Sequence, residues 1–66
     1  ALSERQRQIV ELLAQGMTTK EICRVLGISP NTVKTHVATI FRALGVRNRT
    51  QVVAVTQAWL HQQRLQ

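Results

Sequence analysis

From Ser29 to Leu44 the chain reads SPNTVKTHVATIFRAL, and its apolar side chains recur at the spacing of one helix face. At about 100° per residue, Val33, Val37, Ile40 and Leu44 fall on a single narrow stripe, which predicts a helix over 30–44 with that stripe buried. Ser29 can accept a hydrogen bond from an amide of the first turn. Pro30 suits the first helical position, where its missing N–H would have had no partner. Gly45 ends the run. The opposite arc holds Asn31, Thr35, Ala38 and Arg42, flanked by Lys34 on one side and by Thr32 and Thr39 on the other.

The same periodicity places three more helices. Ser3 and Gln6 stand at capping-box spacing ahead of Ile9, Leu12 and Leu13, with Val10 at the margin of the face and Gly16 at the end. Thr18 and Glu21 repeat the capping pattern and open a short helix expected to carry Ile22, Val25 and Leu26 inward, with Cys23 toward the facing helix. Gly27-Ile28-Ser29 then turns the chain into the helix already described. Asn48 and Gln51, again at capping spacing, open a last helix on which Val52, Val53, Thr56, Trp59 and Leu60 cover one broad side, extended by Val55. A short helix, a turn that starts with glycine and a helix with polar outward residues make a helix-turn-helix. The expected fold is therefore all-α: a compact four-helix domain with a central helix-turn-helix and helices at about 3–15, 19–26, 30–44 and 49–63. Residues 64–66 are expected to fray.

Sixty-six residues suffice for one domain, 1–66, with a core small enough to gain from a partner. The formal net charge is +6, and its placement is uneven. Arg5, Arg7 and Lys20 balance Glu4, Glu11 and Glu21 in the first 21 residues, whereas Arg24, Lys34, Arg42, Arg47, Arg49 and Arg64 meet no acid beyond them. A one-sided field of this kind suits a polyanion. A membrane surface would require an exposed apolar face beside the basic one, and the helix over 30–44 spends its apolar stripe on the core. No apolar run reaches membrane-span length and no secretory signal is visible, so the expected setting is the cytoplasm. Catalysis is not expected: the chain has no aspartate, three scattered glutamates, no phosphate-binding glycine loop and no nucleophile beside a base. One cysteine and two histidines, His36 and His61, exclude a metal cluster, and no cofactor or small-molecule ligand is expected. Cys23 suits close packing better than redox sensing.

The acid-free arc of the 30–44 helix carries the functional signal. An ordinary solvated face mixes glutamate with lysine. Here Asn31, Lys34, Thr35 and Arg42 are side chains that reach base edges and phosphate oxygens, while the methyls of Thr35 and Ala38 suit a thymine methyl. The plainer alternative is a β-branched surface that lacks acids. On the last helix Thr50, Ala54, Ala58 and His61 form a second unusual face, small and uncharged, which permits close approach of a twofold mate. There the alternative is an ordinary alanine-rich surface. Trp59 suits the core better than that interface.

Leu2-Ser3-Glu4-Arg5, Ala14-Gln15-Gly16, Thr19-Lys20-Glu21-Ile22, Ile28-Ser29 before Thr32-Val33-Lys34-Thr35-His36, and Asn48-Arg49-Thr50-Gln51 follow one another in an order that resembles the C-terminal DNA-binding domain of the LuxR/FixJ family of bacterial transcription regulators. The resemblance implies a recognition helix in the major groove of double-stranded DNA, with Lys34, Thr35 and Ala38 pointing inward. It implies phosphate contacts from Lys20, Thr32 and His36, a homodimer formed through the last helix on a twofold-symmetric site, and an upstream sensory or receiver domain of the kind found in two-component response regulators. RNA polymerase is a further candidate partner. His36 has a competing role in helix packing. Gln6, Cys23 and Ala38 depart from the family pattern, and Ala38 shifts readout toward methyl contacts, Asn31, Lys34 and DNA shape. Two other functions compete: a promoter-binding module like region four of a sigma factor, and a basic module that docks an acidic protein.

Overall fold

A hydroxyl side chain starts each of the first three helices. The computed structural model describes the backbone of residues 2–65 and the side chains of residues 2–58. Its helices are α1 (Glu4–Ala14), α2 (Thr19–Leu26), α3 (Pro30–Leu44) and α4 (Arg49–Leu65). Ser3 caps α1 in a complete box: its Oγ accepts from the Gln6 amide at 3.2 Å, and Gln6 Oε1 accepts from the Ser3 amide at 3.0 Å. Thr18 and Glu21 close the same box on α2 at 3.1 and 3.0 Å. Ser29 Oγ takes the Thr32 amide at 3.2 Å ahead of Pro30 at the start of α3. Ser3 and Gln15, counted inside the first helix by the periodicity, are its caps. Residues 64 and 65, expected to fray, continue α4 to Leu65.

Two glycines set the connections. Gly27 (φ +68°) and Gly45 (φ +67°) lie in the left-handed region that costs a residue with a Cβ and ends a helix without one. Gly27 thereby turns the chain sharply between α2 and α3, which pack on each other, as a helix-turn-helix requires. Helix α1 packs against both α3 and α4, and α3 also touches α4.

Every helix sends an aliphatic side chain into one core. Ile9 of α1, Ile22 of α2, Val33 and Ile40 of α3 and Val52 of α4 are fully buried. Burying each stabilises the fold by about 1.5–3 kcal/mol, so a domain this size depends on nearly all of them. Thr56 is buried as well, and its hydroxyl donates to the Val52 carbonyl at 2.9 Å, which satisfies the polar group inside the fold.

The core faces are rotated slightly from the positions the periodicity predicts. Val25, expected inward, is 57% exposed. Ile22 and Leu26 share the α2 face with Cys23 instead, because α3 packs on that side and leaves Val25 beyond the edge of the contact. On α1, Val10 is buried and Leu12 only half-buried, since this helix meets two neighbours rather than one. Val37 and Leu44 border the core instead of filling it. Val55, expected to widen the buried side of α4, is 40% exposed. Trp59 and Leu60 lie outside the described side chains. Among the described residues no helix is long and apolar enough to cross a membrane.

Candidate nucleic-acid interface

Burial of Val33 and Ile40 fixes the rotation of α3 about its axis and turns the opposite arc to solvent. Asn31, Thr32, Lys34, Thr35, Ala38 and Arg42 are all exposed. Ser29 Oγ and Thr32 Oγ1 lie 2.9 Å apart and share one hydrogen bond at the entrance of the helix. Thr35 Oγ1 donates to the Asn31 carbonyl at 3.0 Å, and Thr39 Oγ1 donates to the Thr35 carbonyl at 3.1 Å. These two bonds lock both threonine rotamers along the arc. His36 and Thr39 are half-buried at its margins, which makes His36 partly a packing residue. Lys20 is exposed in the first turn of α2, on a separate helix from the arc.

The electrostatics of α3 come from Lys34 and Arg42 alone, since no acid lies between Pro30 and Leu44. The acid of α2 is committed elsewhere. Hydrogen bonds from the Thr18 amide and hydroxyl hold the Glu21 carboxyl below the usual carboxylate range, with lesser help from the charges of Arg24 and Arg49. Glu21 therefore stays ionised as part of a helix cap.

Arg49, read from the sequence only as an unopposed cation and as part of the Asn48–Gln51 motif, has a structural role that the patterns did not give. Its Nη2 donates to the Leu13 carbonyl at 3.4 Å, tying the start of α4 to the end of α1. The signal was present, because the last turn of α1 has no basic residue of its own to meet its free carbonyls. The start of α4 is held a second time. Asn48 Oδ1 accepts from the Gln51 amide at 2.9 Å, but Gln51 Oε1 reaches one residue further back than in a capping box and accepts from the Arg47 amide at 2.6 Å.

The second candidate face stands on α4. Thr50, Ala54 and Ala58 are exposed along it, and no charged residue occurs from Thr50 to Ala58. The side chain of His61 lies outside the described residues. The structure thus carries two distinct surfaces, a basic polar arc on α3 and an uncharged small-residue face on α4.

Comparison with known proteins gives the family of the chain. The family model described as "Bacterial regulatory proteins, luxR family" matches residues 1–56. The spore germination protein GerE of Bacillus subtilis is 46% identical over 52 residues, 79% of this chain and 70% of that protein. The transcriptional regulatory protein UhpA of Escherichia coli is 49% identical over 51 residues, 77% of this chain and 26% of that protein. The nitrate/nitrite response regulator protein NarL of Escherichia coli is 36% identical over 64 residues, 97% of this chain and 28% of that protein. The chain thus spans about a quarter of the length of UhpA and NarL, at the scale of a single domain. With a four-helix fold built around a helix-turn-helix and a match over most of its length, the chain belongs to the luxR family of bacterial regulatory proteins, as a DNA-binding domain of its transcription regulators.

Proposed function

We propose that the chain reads a specific sequence of double-stranded DNA by laying α3 in the major groove, and that it does so as a twofold dimer paired through α4. The observation that carries this is the exposed, acid-free arc of α3, held in one orientation by the fully buried Val33 and Ile40. Small side chains at Thr35 and Ala38 let the helix axis come close to the base edges. Asn31, Lys34, Thr35 and Ala38 face the bases, and Arg42 and Thr39 lie toward the walls of the groove. Lys20, Thr32 and His36 bind backbone phosphates. His36 need carry no charge to donate one hydrogen bond. The excess positive charge of residues 22–66 releases condensed counterions from the duplex, so binding weakens steeply as salt rises.

One module of this kind covers only about 600–1,000 Å² of DNA-facing surface, so two copies bind far better than one. Thr50, Ala54, Ala58 and His61 form the pairing face. Exposed alanines with no charge around them let two α4 helices approach at short interaxial distance. In the intact regulator an upstream sensory or receiver domain controls access to α3 and α4; NarL, a relative of which this chain covers 28%, is by name a response regulator. The regulator acts in the cytoplasm, and RNA polymerase is a further partner. The sigma-factor and protein-docking alternatives have no comparable support from the family match.

The test is Lys34→Ala. Loss of a base-edge contact lowers affinity by about tenfold for the preferred duplex, within the range of 1–3 kcal/mol per good contact. Affinity unchanged at low salt would contradict the placement of α3.

A further inference from the structure

The hydrogen-bond polarity of Thr35 narrows what it is able to read. A backbone carbonyl oxygen only accepts, so the 3.0 Å contact between Thr35 Oγ1 and the Asn31 carbonyl fixes the hydroxyl as the donor and consumes its single proton. The contact also fixes χ1 and with it the direction of the γ-methyl. The bond repeats one turn on, where Thr39 donates to the Thr35 carbonyl at 3.1 Å, so the local helix is held by two consecutive side-chain bonds. Thr35 is exposed at the centre of the arc. What it offers outward is therefore a pair of oxygen lone pairs beside a methyl group, with no hydrogen to give. Lys34, next to it, has the opposite character: three donors and no acceptor.

Base edges in the major groove sort sharply against these two polarities. Adenine and cytosine present exocyclic amines that donate, while guanine presents two acceptors, O6 and N7. We infer that Thr35 is a specificity-determining residue that selects a base carrying an exocyclic amine, adenine or cytosine, and rejects guanine, whose lone pairs would face its own. Resting on the placement of α3 in the groove, this gives the arc a directional code in which Thr35 accepts and Lys34 donates. To address guanine, Thr35 would have to break its hydroxyl bond to the Asn31 carbonyl and turn its proton away from the helix.

The experiment uses duplexes selected by the full chain from a random pool. Each adenine of the selected site is replaced in turn by purine and each cytosine by 2-pyrimidinone, which removes the exocyclic amine and keeps the ring. These duplexes are titrated with the wild type and with Thr35→Val, which keeps the shape and cannot accept. One position is expected at which losing the amine weakens the wild type about fivefold and leaves Thr35→Val unaffected, the size of one hydrogen bond. Thr35→Ser should keep the sensitivity, because serine makes the same bond to the helix. If no adenine or cytosine shows coupling to Thr35, the inference is overturned. Lys34→Ala, measured on the same duplexes, separates the two levels. Affinity lost with Lys34→Ala but no amine coupled to Thr35 overturns the polarity rule alone, whereas no selected site and no effect of Lys34→Ala overturns the placement of α3 and the rule with it.

Discussion

Glu21 shows how a single exposed residue couples this fold to pH. Its carboxylate accepts from the Thr18 amide at 3.0 Å and is also held by the Thr18 hydroxyl, and these bonds to the carboxylate favour the charged form. The folded-state pKa is lowered relative to the unfolded chain, so ionised Glu21 contributes stability that is complete above the usual carboxylate range. That contribution disappears as pH falls through the lowered folded value. Thermal melting of wild type and Glu21→Gln from neutral to strongly acidic pH should therefore give a gap in midpoint that is constant above the carboxylate range and narrows in acid. A gap independent of pH would mean that the cap acts only through geometry. Thr35 separates what periodicity fixes from what the local hydrogen bond fixes. Its outward position follows from periodicity, but its donor direction does not, because a threonine in a helix has two accessible rotamers and only one returns the proton to the preceding turn.

At the scale of elements, the helices are defined by their ends as much as by their faces. Ser3, Thr18, Ser29 and Asn48 each accept from an amide three residues on, and Gly27 and Gly45 terminate α2 and α3. Core membership then distinguishes neighbours on one short helix. Ile22→Ala should cost about 2–5 kcal/mol, the range for a truncated core aliphatic, and Val25→Thr within about 0.5 kcal/mol of nothing. Urea titration of both variants checks the contrast, and similar losses would restore Val25 to the core. The contrast also marks where sequence legibility ends. Caps, glycines and the 3.6-residue period locate all four helices, since those signals are local. Which side of Ile22 is covered depends on where α3 and α1 lie, and the period alone cannot distinguish Val25 from Cys23. Val10 and Leu12 on α1 exchange ranks for the same reason, and Val55 on α4 falls outside the contact. The arc of α3 was legible because its inner stripe is narrow, so that burying Val33 and Ile40 leaves one rotation. The link from Arg49 to Leu13 was not, because it joins residues 36 positions apart.

The same separation of faces governs the whole molecule. With the core filled by residues from all four helices, the basic arc of α3 and the uncharged face of α4 both remain exposed, as the proposed use of the first on DNA and of the second for a second copy requires. Ala54→Glu places a charge in the middle of the proposed pairing face without touching the core. It should abolish dimers in sedimentation analysis while circular dichroism keeps its helical signal, and dimers that survive would move the interface elsewhere. A monomeric variant of this kind should still recognise a half-site, only more weakly.

Selection of bound duplexes from a random DNA pool, followed by titration of the winners over a range of salt, separates groove reading by α3 from generic attraction to a polyanion. Groove reading by α3 in a twofold dimer predicts a twofold-symmetric motif, affinity that falls steeply as salt rises, and a ratio of specific to nonspecific binding that persists. Enrichment of no motif, with binding lost equally on all duplexes as salt increases, would contradict sequence reading and reduce α3 to a generic basic surface.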